Sequence, residues 1–168
     1  MYAAVVDAGL GLFAQYGALV LLFAFVLEGA LVGKLVPTRA LFVGGVLAVG
    51  SDAVGVASLF LAAVVGATAG QLFIFVLVRR TDVDFADLPG PAPPGADDRL
   101  RRWFDRWGLS AVAVSNTLPL ARGSLTVPAA MTGEQPLRFS SAALAGTCVY
   151  AMGLLAVAAG LDVALGLL

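Results

Sequence analysis

Two charged side chains stand in sequence that is otherwise apolar. Glu28 ends an apolar run of 20 residues, and Arg122 lies between Pro119 and Pro128 with no other formal charge in residues 109–133. A charge inside a bilayer costs on the order of 3 kcal/mol on insertion scales, and such charges commonly mark a substrate or proton path. If Glu28 pairs with Arg122, the guanidinium can still bind a phosphate through two parallel hydrogen bonds. Two alternatives stay open: Glu28 could carry a coupling proton, or the pair could be a purely structural salt bridge.

Five further charges lie near apolar sequence: Lys34, Arg39, Asp52, Glu134 and Arg138. Asp52 follows Gly50 and Ser51 and is typical of a turn or helix start, whereas Glu134 and Arg138 bracket Pro136 at a similar boundary. Lys34 could extend to the membrane surface along its aliphatic stem.

The composition indicates a membrane protein. The chain has 168 residues, of which 60% are hydrophobic and 12% charged, and its mean hydropathy is +0.96. A soluble domain of this size needs far more polar surface. Three stretches reach the roughly 20 apolar residues that a spanning helix requires, namely 8–27, 53–78 and 137–160. We therefore expect an all-α integral membrane protein with about three full spans, forming a single membrane domain over residues 1–168.

Two other apolar stretches are interrupted. Residues 28–50 contain Pro37 and Arg39, and residues 109–133 contain Pro119 and Pro128. Irregular backbone at membrane depth is tolerated mainly where it is buried in protein or lines a wet cavity. Both stretches are therefore predicted to be broken or re-entrant helical hairpins. Each precedes a long span, and this order suggests an inverted repeat with the site between the halves.

The segment 79–108 is predicted to be a cytoplasmic loop. Six of the ten basic residues flank it or lie in it, and the positive-inside rule places such a segment in the cytoplasm. Four prolines between 89 and 94 predict an extended spacer. An amphipathic helix is predicted next, because four large apolar residues recur at helical spacing opposite a basic face. These residues are Leu100, Trp103, Phe104 and Trp107. We expect this helix to lie in the headgroup layer, with Gly108 ending it.

Several classes of function are excluded. A net charge of −1 provides no basic excess for nucleic acid. The absence of His and the single Cys148 exclude a disulfide framework and the usual zinc sites. No catalytic motif is present, so we expect no metal, no cofactor and no enzyme activity. Small residues at Gly66 and Gly70, and at Ala156 and Gly160, predict close helix packing.

Short motifs occur in the order and spacing of one known membrane family. Glu28 closes the first span, and Arg39 lies two residues after Pro37. The second long span reads Gly66-Ala67-Thr68-Ala69-Gly70-Gln71, and the loop helix reads Arg102-Trp103-Phe104-Asp105-Arg106-Trp107-Gly108. The next motif reads Asn116-Thr117-Leu118-Pro119-Leu120-Ala121-Arg122, and Phe139, Gly146 and Tyr150 follow. From about Phe25 to Gly160 the chain resembles the DedA family, also called the SNARE-associated or VTT-domain family, as a divergent prokaryotic member.

The chain departs from the family pattern at three charged positions. The family has an acid in the first hairpin where this chain has Arg39, and an Arg at the start of the signature where this chain has Asn116. It has an Asp after the second-span glycine where this chain has Gln71. These departures weaken any proton coupling that the family would imply. They favour an anionic headgroup instead.

The resemblance implies movement of lipids between leaflets, by a flippase or scramblase acting on a phospholipid or a polyprenyl-phosphate carrier. The expected binding or coupling residues are Glu28, Arg39, Asn116, Pro119 and Arg122. Arg122 would anchor the phosphate, and Arg39 and Asn116 would face the same cavity, with Glu28 as the counter-charge nearest to Arg39. The alternative for Arg39 is that it extends outward to lipid phosphates.

The expected location is the cell membrane, as a multi-pass protein. The expected partners are membrane lipids with anionic headgroups, and a homo-oligomer is a further option. Two alternative functions stay open, a non-transporting membrane scaffold and an ion-coupled transporter of small solutes.

Overall fold

The regular structure of the chain is helical throughout the ranges that the computed structural model describes, which are residues 2–30, 37–50, 52–81, 96–119 and 121–166. Seven helices occur in these ranges: α1 (Tyr2–Gly29), α2 (Thr38–Val49), α3 (Ala53–Thr81), α4 (Ala96–Trp107), α5 (Leu109–Thr117), α6 (Thr126–Met131) and α7 (Pro136–Leu165). The predicted all-α class is therefore confirmed for the described part of the chain.

Two of the three predicted spans are long and apolar enough to cross a bilayer. α3 has 29 residues and α7 has 30, and at 1.5 Å per residue each exceeds a hydrocarbon core of about 30 Å. The third span is not confirmed. α1 is helical over the predicted region, but its backbone leaves the helical range at Tyr16 (φ −129°, ψ 23°), and the apolar piece Tyr16–Gly29 is shorter than a span.

The outer faces of these helices are apolar. Phe23 on α1, Phe73 on α3 and Leu137 on α7 are all largely exposed, together with many other large hydrophobic side chains. An apolar perimeter of this extent is unfavourable in water and is solvated well by hydrocarbon. The exposed surface thus supports a membrane location.

Close packing of α1 on α3 depends on small residues. A side chain at Gly66 would meet the backbone of Leu22, and one at Gly70 would meet the backbone of Val26 and Ala30. The predicted packing role of these two glycines is confirmed. The second small pair differs, because Ala156 and Gly160 are exposed and Gly160 has open space where a side chain would lie.

Both interrupted stretches contain helix ends. α1 ends at Gly29, and α2 starts after Pro37, whose backbone is non-helical (φ −77°, ψ 60°). Residues 31–36, which include Lys34, lie outside the described ranges. α5 ends at Thr117 and α6 begins at Thr126, so the second stretch is broken as predicted. Pro128 lies in the first turn of α6, where its missing N–H costs nothing. Entry and return on one membrane face remains a prediction, as does the inverted repeat.

The amphipathic helix is present as α4, but its apolar stripe is divided. Phe104 is buried in a core with Val112 and Phe139, whereas Trp107 is more than half exposed. Gly108 ends the helix with φ +53°, and its N–H donates to the Phe104 carbonyl at 2.6 Å. The prediction that the whole stripe faces the headgroup layer is therefore wrong for Phe104. The side chain of Leu100 and residues 82–95 lie outside the described part.

The charges assigned to helix boundaries occupy those boundaries. The Asp52 carboxylate accepts the N–H groups of Val54 and Gly55, both at 3.1 Å, and so caps the start of α3. Pro136 is the first residue of α7. Arg79 at the end of α3 donates to the Glu134 carbonyl. The capping contacts account for the charge of Asp52, while Glu134 and Arg138 lie at the start of α7, where a boundary was predicted.

Candidate functional site

Glu28 and Arg122 form an ion pair that joins the two interrupted stretches. Glu28 lies in the last turn of α1, and Arg122 lies between α5 and α6, in a segment that we call the Arg122 turn (residues 118–119 and 121–125). The Arg122 Nη1 atom lies 3.4 Å from Glu28 Oε1 and 3.5 Å from Oε2. The Arg122 side chain is only 6% exposed and the Glu28 side chain 17%. The predicted pairing is therefore present, and both partners are mostly shielded from solvent.

Aromatic rings form the rest of the environment of Arg122. Its guanidinium carbon lies 4.3 Å from the centre of the Tyr150 ring and 5.3 Å from that of Phe25. Both distances are within the range of cation–π attraction. Phe25 also meets Phe42 of α2 edge to face, at 6.3 Å between ring centres. The guanidinium thus lies against side chains of α1 and α7.

The buried Nη2 atom of Arg122 makes no hydrogen bond within the described residues. The hydroxyls of Thr68, Thr126 and Thr147 are in the same condition. Buried polar atoms in proteins nearly always have a hydrogen-bond partner, and where the protein does not supply one, the partner is ordered water or a bound group. An acceptor atom from outside the described residues would therefore satisfy the Nη2 donor.

Arg39 contacts the second interrupted stretch. Its Nε donates to the Tyr150 hydroxyl at 3.0 Å, and its Nη2 donates to the Pro119 carbonyl at 2.6 Å. Arg39 itself remains exposed, and no acidic side chain of the described ranges lies within 4.0 Å of its guanidinium. The expected Glu28 counter-charge is thus not an ion-pair partner of Arg39. Two neutral oxygens hold the guanidinium.

Asn116 has a different environment from the one expected. It is 1% exposed, so its amide does not face an open cavity. Asn116 Nδ2 donates to Gln71 Oε1 at 2.9 Å, and Asn116 Oδ1 accepts from Gln71 Nε2 at 3.0 Å and from the Gly123 N–H at 3.0 Å. The side chain therefore bonds within the protein, and the expected contribution of Asn116 to headgroup binding is replaced by a contact between α3 and α5.

The five predicted residues thus belong to one connected set of contacts. Arg39 and Arg122 both contact Tyr150, Glu28 pairs with Arg122, and the Pro119 carbonyl accepts from Arg39, whereas Asn116 is buried in the core. In the sequence, Tyr150 was noted only among the motif residues that follow Arg122, and no site role was predicted for it. The available signal was a phenol in an otherwise apolar span, because a buried Tyr hydroxyl generally needs a partner.

Comparison with known proteins supports the resemblance. No family model matches the chain, and no solved structure matches it. Among curated proteins, undecaprenyl phosphate transporter A of Staphylococcus aureus (strain NCTC 8325 / PS 47) is 24% identical over 162 residues, which cover 92% of this chain and 78% of the transporter. The chain is thus similar to this transporter over most of its length, and this similarity agrees with the resemblance to the DedA family that the sequence motifs indicate.

Proposed function

We propose that this chain moves a lipid with a phosphate headgroup between the leaflets of a membrane. The observation that carries the proposal is the buried Arg122 Nη2 atom, which has no hydrogen-bond partner within the described residues although its guanidinium is paired with Glu28. A phosphate oxygen satisfies such a donor with a charge-assisted hydrogen bond. The substrate class is a phospholipid or a polyprenyl-phosphate carrier, and the similarity to a transporter of undecaprenyl phosphate supports this choice.

The charge of the region suits an anion. Two guanidinium groups, Arg39 and Arg122, contact Tyr150, and Glu28 compensates the charge of Arg122. One positive charge, that of Arg39, is left to attract an anion. Because Arg39 replaces the family's acid, this region binds a headgroup better than it carries a proton. Transport is then exchange down the lipid gradient and not proton-driven accumulation.

The interrupted helices provide the path. α2 begins within apolar sequence, and so does the Arg122 turn, which follows the end of α5. The two segments meet where Arg39 donates to the Pro119 carbonyl. A headgroup that binds Arg122 then competes with side-chain hydrogen bonds such as that from Arg39 to the Pro119 carbonyl. It does not have to break the backbone hydrogen bonds of a continuous helix. Loss of one side-chain hydrogen bond costs about 1 kcal/mol, which is small enough for rapid opening.

The test is leaflet exchange of a labelled anionic lipid in liposomes that contain the purified protein. We expect exchange with the wild type, a loss of at least tenfold for Arg122→Ala, and little change for Arg80→Ala, which removes an exposed cation at the end of α3. Arg122→Lys keeps the charge but not the paired donors, and we expect an intermediate rate. A wild type that exchanges no lipid, while folded and incorporated, would favour the scaffold function instead.

A further inference from the structure

Gln71 and Asn116 form a closed amide pair in the core of the chain. Each side chain donates one hydrogen bond to the other, at 3.0 Å and 2.9 Å, and both residues are 1% exposed. Neither group titrates. Since each amide would be left unsatisfied without the other, the two residues depend on each other for their burial.

The pair also holds the Arg122 turn. Asn116 Oδ1 also accepts a hydrogen bond from the N–H of Gly123, the residue that follows Arg122, at 3.0 Å. Gly123 has φ +74°, a left-handed conformation that residues other than glycine rarely adopt. The amide pair thus fixes the backbone immediately beside Arg122.

The same helix face positions Glu28. Gly29 packs against α3 so closely that a side chain there would meet the Ala67 carbonyl and, at 3.1 Å, the Gln71 N–H nitrogen. Gln71 therefore lies at the crossing of α1 and α3, next to Glu28, while its side chain reaches Asn116 and, through it, the Arg122 turn. Gln71 therefore connects to the backbone beside both partners of the Glu28–Arg122 ion pair.

We propose that Gln71 and Asn116 act as one positioning unit that keeps Arg122 in place against Glu28 independently of pH. The proposal rests on the proposed function for its transport readout. The family pattern has an acid and a base at these two positions, and in this chain the two departures contact each other. Both charged groups of the pattern are thus replaced in this chain by amides, which do not titrate.

The first test measures the turn itself. Amide hydrogen exchange at Gly123, read by NMR or on a peptide covering the Arg122 turn, should be protected in the wild type. In the double variant Gln71→Leu/Asn116→Leu, no side-chain amide is left unpaired, but the Gly123 N–H loses its acceptor. We expect exchange at Gly123 to be faster on the order of tenfold, while amides in the middle of α7 keep their protection. Unchanged protection at Gly123 overturns the proposal. This readout does not require lipid transport.

The second test makes the unit titratable. Asn116→Asp has the same shape and keeps both accepted hydrogen bonds, but only its protonated form can donate to Gln71 Oε1. In phosphatidylcholine liposomes with a labelled phosphatidylglycerol, we expect a flat rate between about pH 5 and pH 8 for the wild type. The variant should lose at least fivefold as the pH rises. If the exchange rate of Asn116→Asp is as independent of pH as that of the wild type, the positioning proposal is overturned. If the wild type exchanges no lipid, the proposed function is contradicted, and the protection of the Gly123 amide alone then decides the positioning proposal.

Discussion

Tyr150 contacts two guanidinium groups, because Arg122 lies 4.3 Å from the ring centre and Arg39 donates to the hydroxyl at 3.0 Å. One aromatic side chain from α7 therefore contacts a cation from each interrupted stretch. This arrangement keeps two like charges near each other without an acid for each. A cation–π contact contributes about 0.5–2 kcal/mol, depending on how dry it is.

Two substitutions separate the ring from the hydroxyl. Tyr150→Phe keeps the ring beneath Arg122 and removes the acceptor of Arg39, so we expect a loss of lipid exchange of about threefold, which corresponds to a hydrogen bond worth roughly 0.7 kcal/mol. Tyr150→Leu removes both contacts, and we expect lipid exchange to fall at least tenfold. Phe73→Leu, on the exposed face of α3, is the matched control. Equal rates for the two Tyr150 variants would contradict the role of the ring.

The Glu28–Arg122 pair should be worth more to stability than a surface ion pair. Glu28→Gln leaves a mostly buried guanidinium without its counter-charge, and we expect the protein to lose roughly 3 kcal/mol of unfolding free energy. Asp105→Asn, which removes an exposed acid from α4, should change it by less than about 0.5 kcal/mol. Unfolding in detergent, followed by circular dichroism, measures both.

A double variant completes this test. Glu28→Gln/Arg122→Gln removes both charges, so its loss should be clearly smaller than the sum of the two single losses. Additive losses would mean that the 3.4 Å contact does not couple the two residues.

The parts of the fold and of the site that could be predicted are mainly those set by local sequence patterns. Apolar runs and prolines are local, and they were sufficient for α3, α7 and the break after Thr117. The Glu28–Arg122 pair could be inferred across 94 residues because unpaired charges in apolar sequence need a partner. Asn116 could not be placed in the same way, because an amide in an apolar helix is satisfied equally well by a cavity or by a neighbour such as Gln71. The role of Phe104 was missed because a helical stripe does not distinguish lipid from protein as its apolar neighbour.

Helix packing gives a prediction with an internal control. Gly70→Ala forces a methyl group against the backbone of Val26 and Ala30, so α1 must move away from α3, and we expect a cost of about 1–3 kcal/mol. Gly160→Ala lies on α7 with open space around it and removes a flexible residue from a helix, so its stability should be unchanged or higher by up to about 1 kcal/mol. Melting temperatures in one detergent compare the two. A Gly160→Ala variant that is as unstable as Gly70→Ala would refute the packing argument.

The final prediction concerns Arg39 and the choice of headgroup. Arg39 supplies the positive charge that Glu28 does not compensate, and its Nη2 bond to the Pro119 carbonyl directs it toward the Arg122 turn. If this charge selects anionic lipids, Arg39→Ala should slow exchange of labelled phosphatidylglycerol by about tenfold, the value of a charge-assisted contact near 1.4 kcal/mol. Exchange of labelled phosphatidylcholine, whose headgroup carries its own cation, should change by less than twofold. Arg39→Lys should retain the preference, because the selecting feature is the charge, whereas Arg39→Asp should reverse it. Both lipids are measured in the same liposomes, with Arg80→Ala as the control for loss of a basic residue elsewhere. If Arg39→Ala slows both lipids equally, Arg39 only holds Tyr150 and Pro119 together, and headgroup selection depends on Arg122 alone.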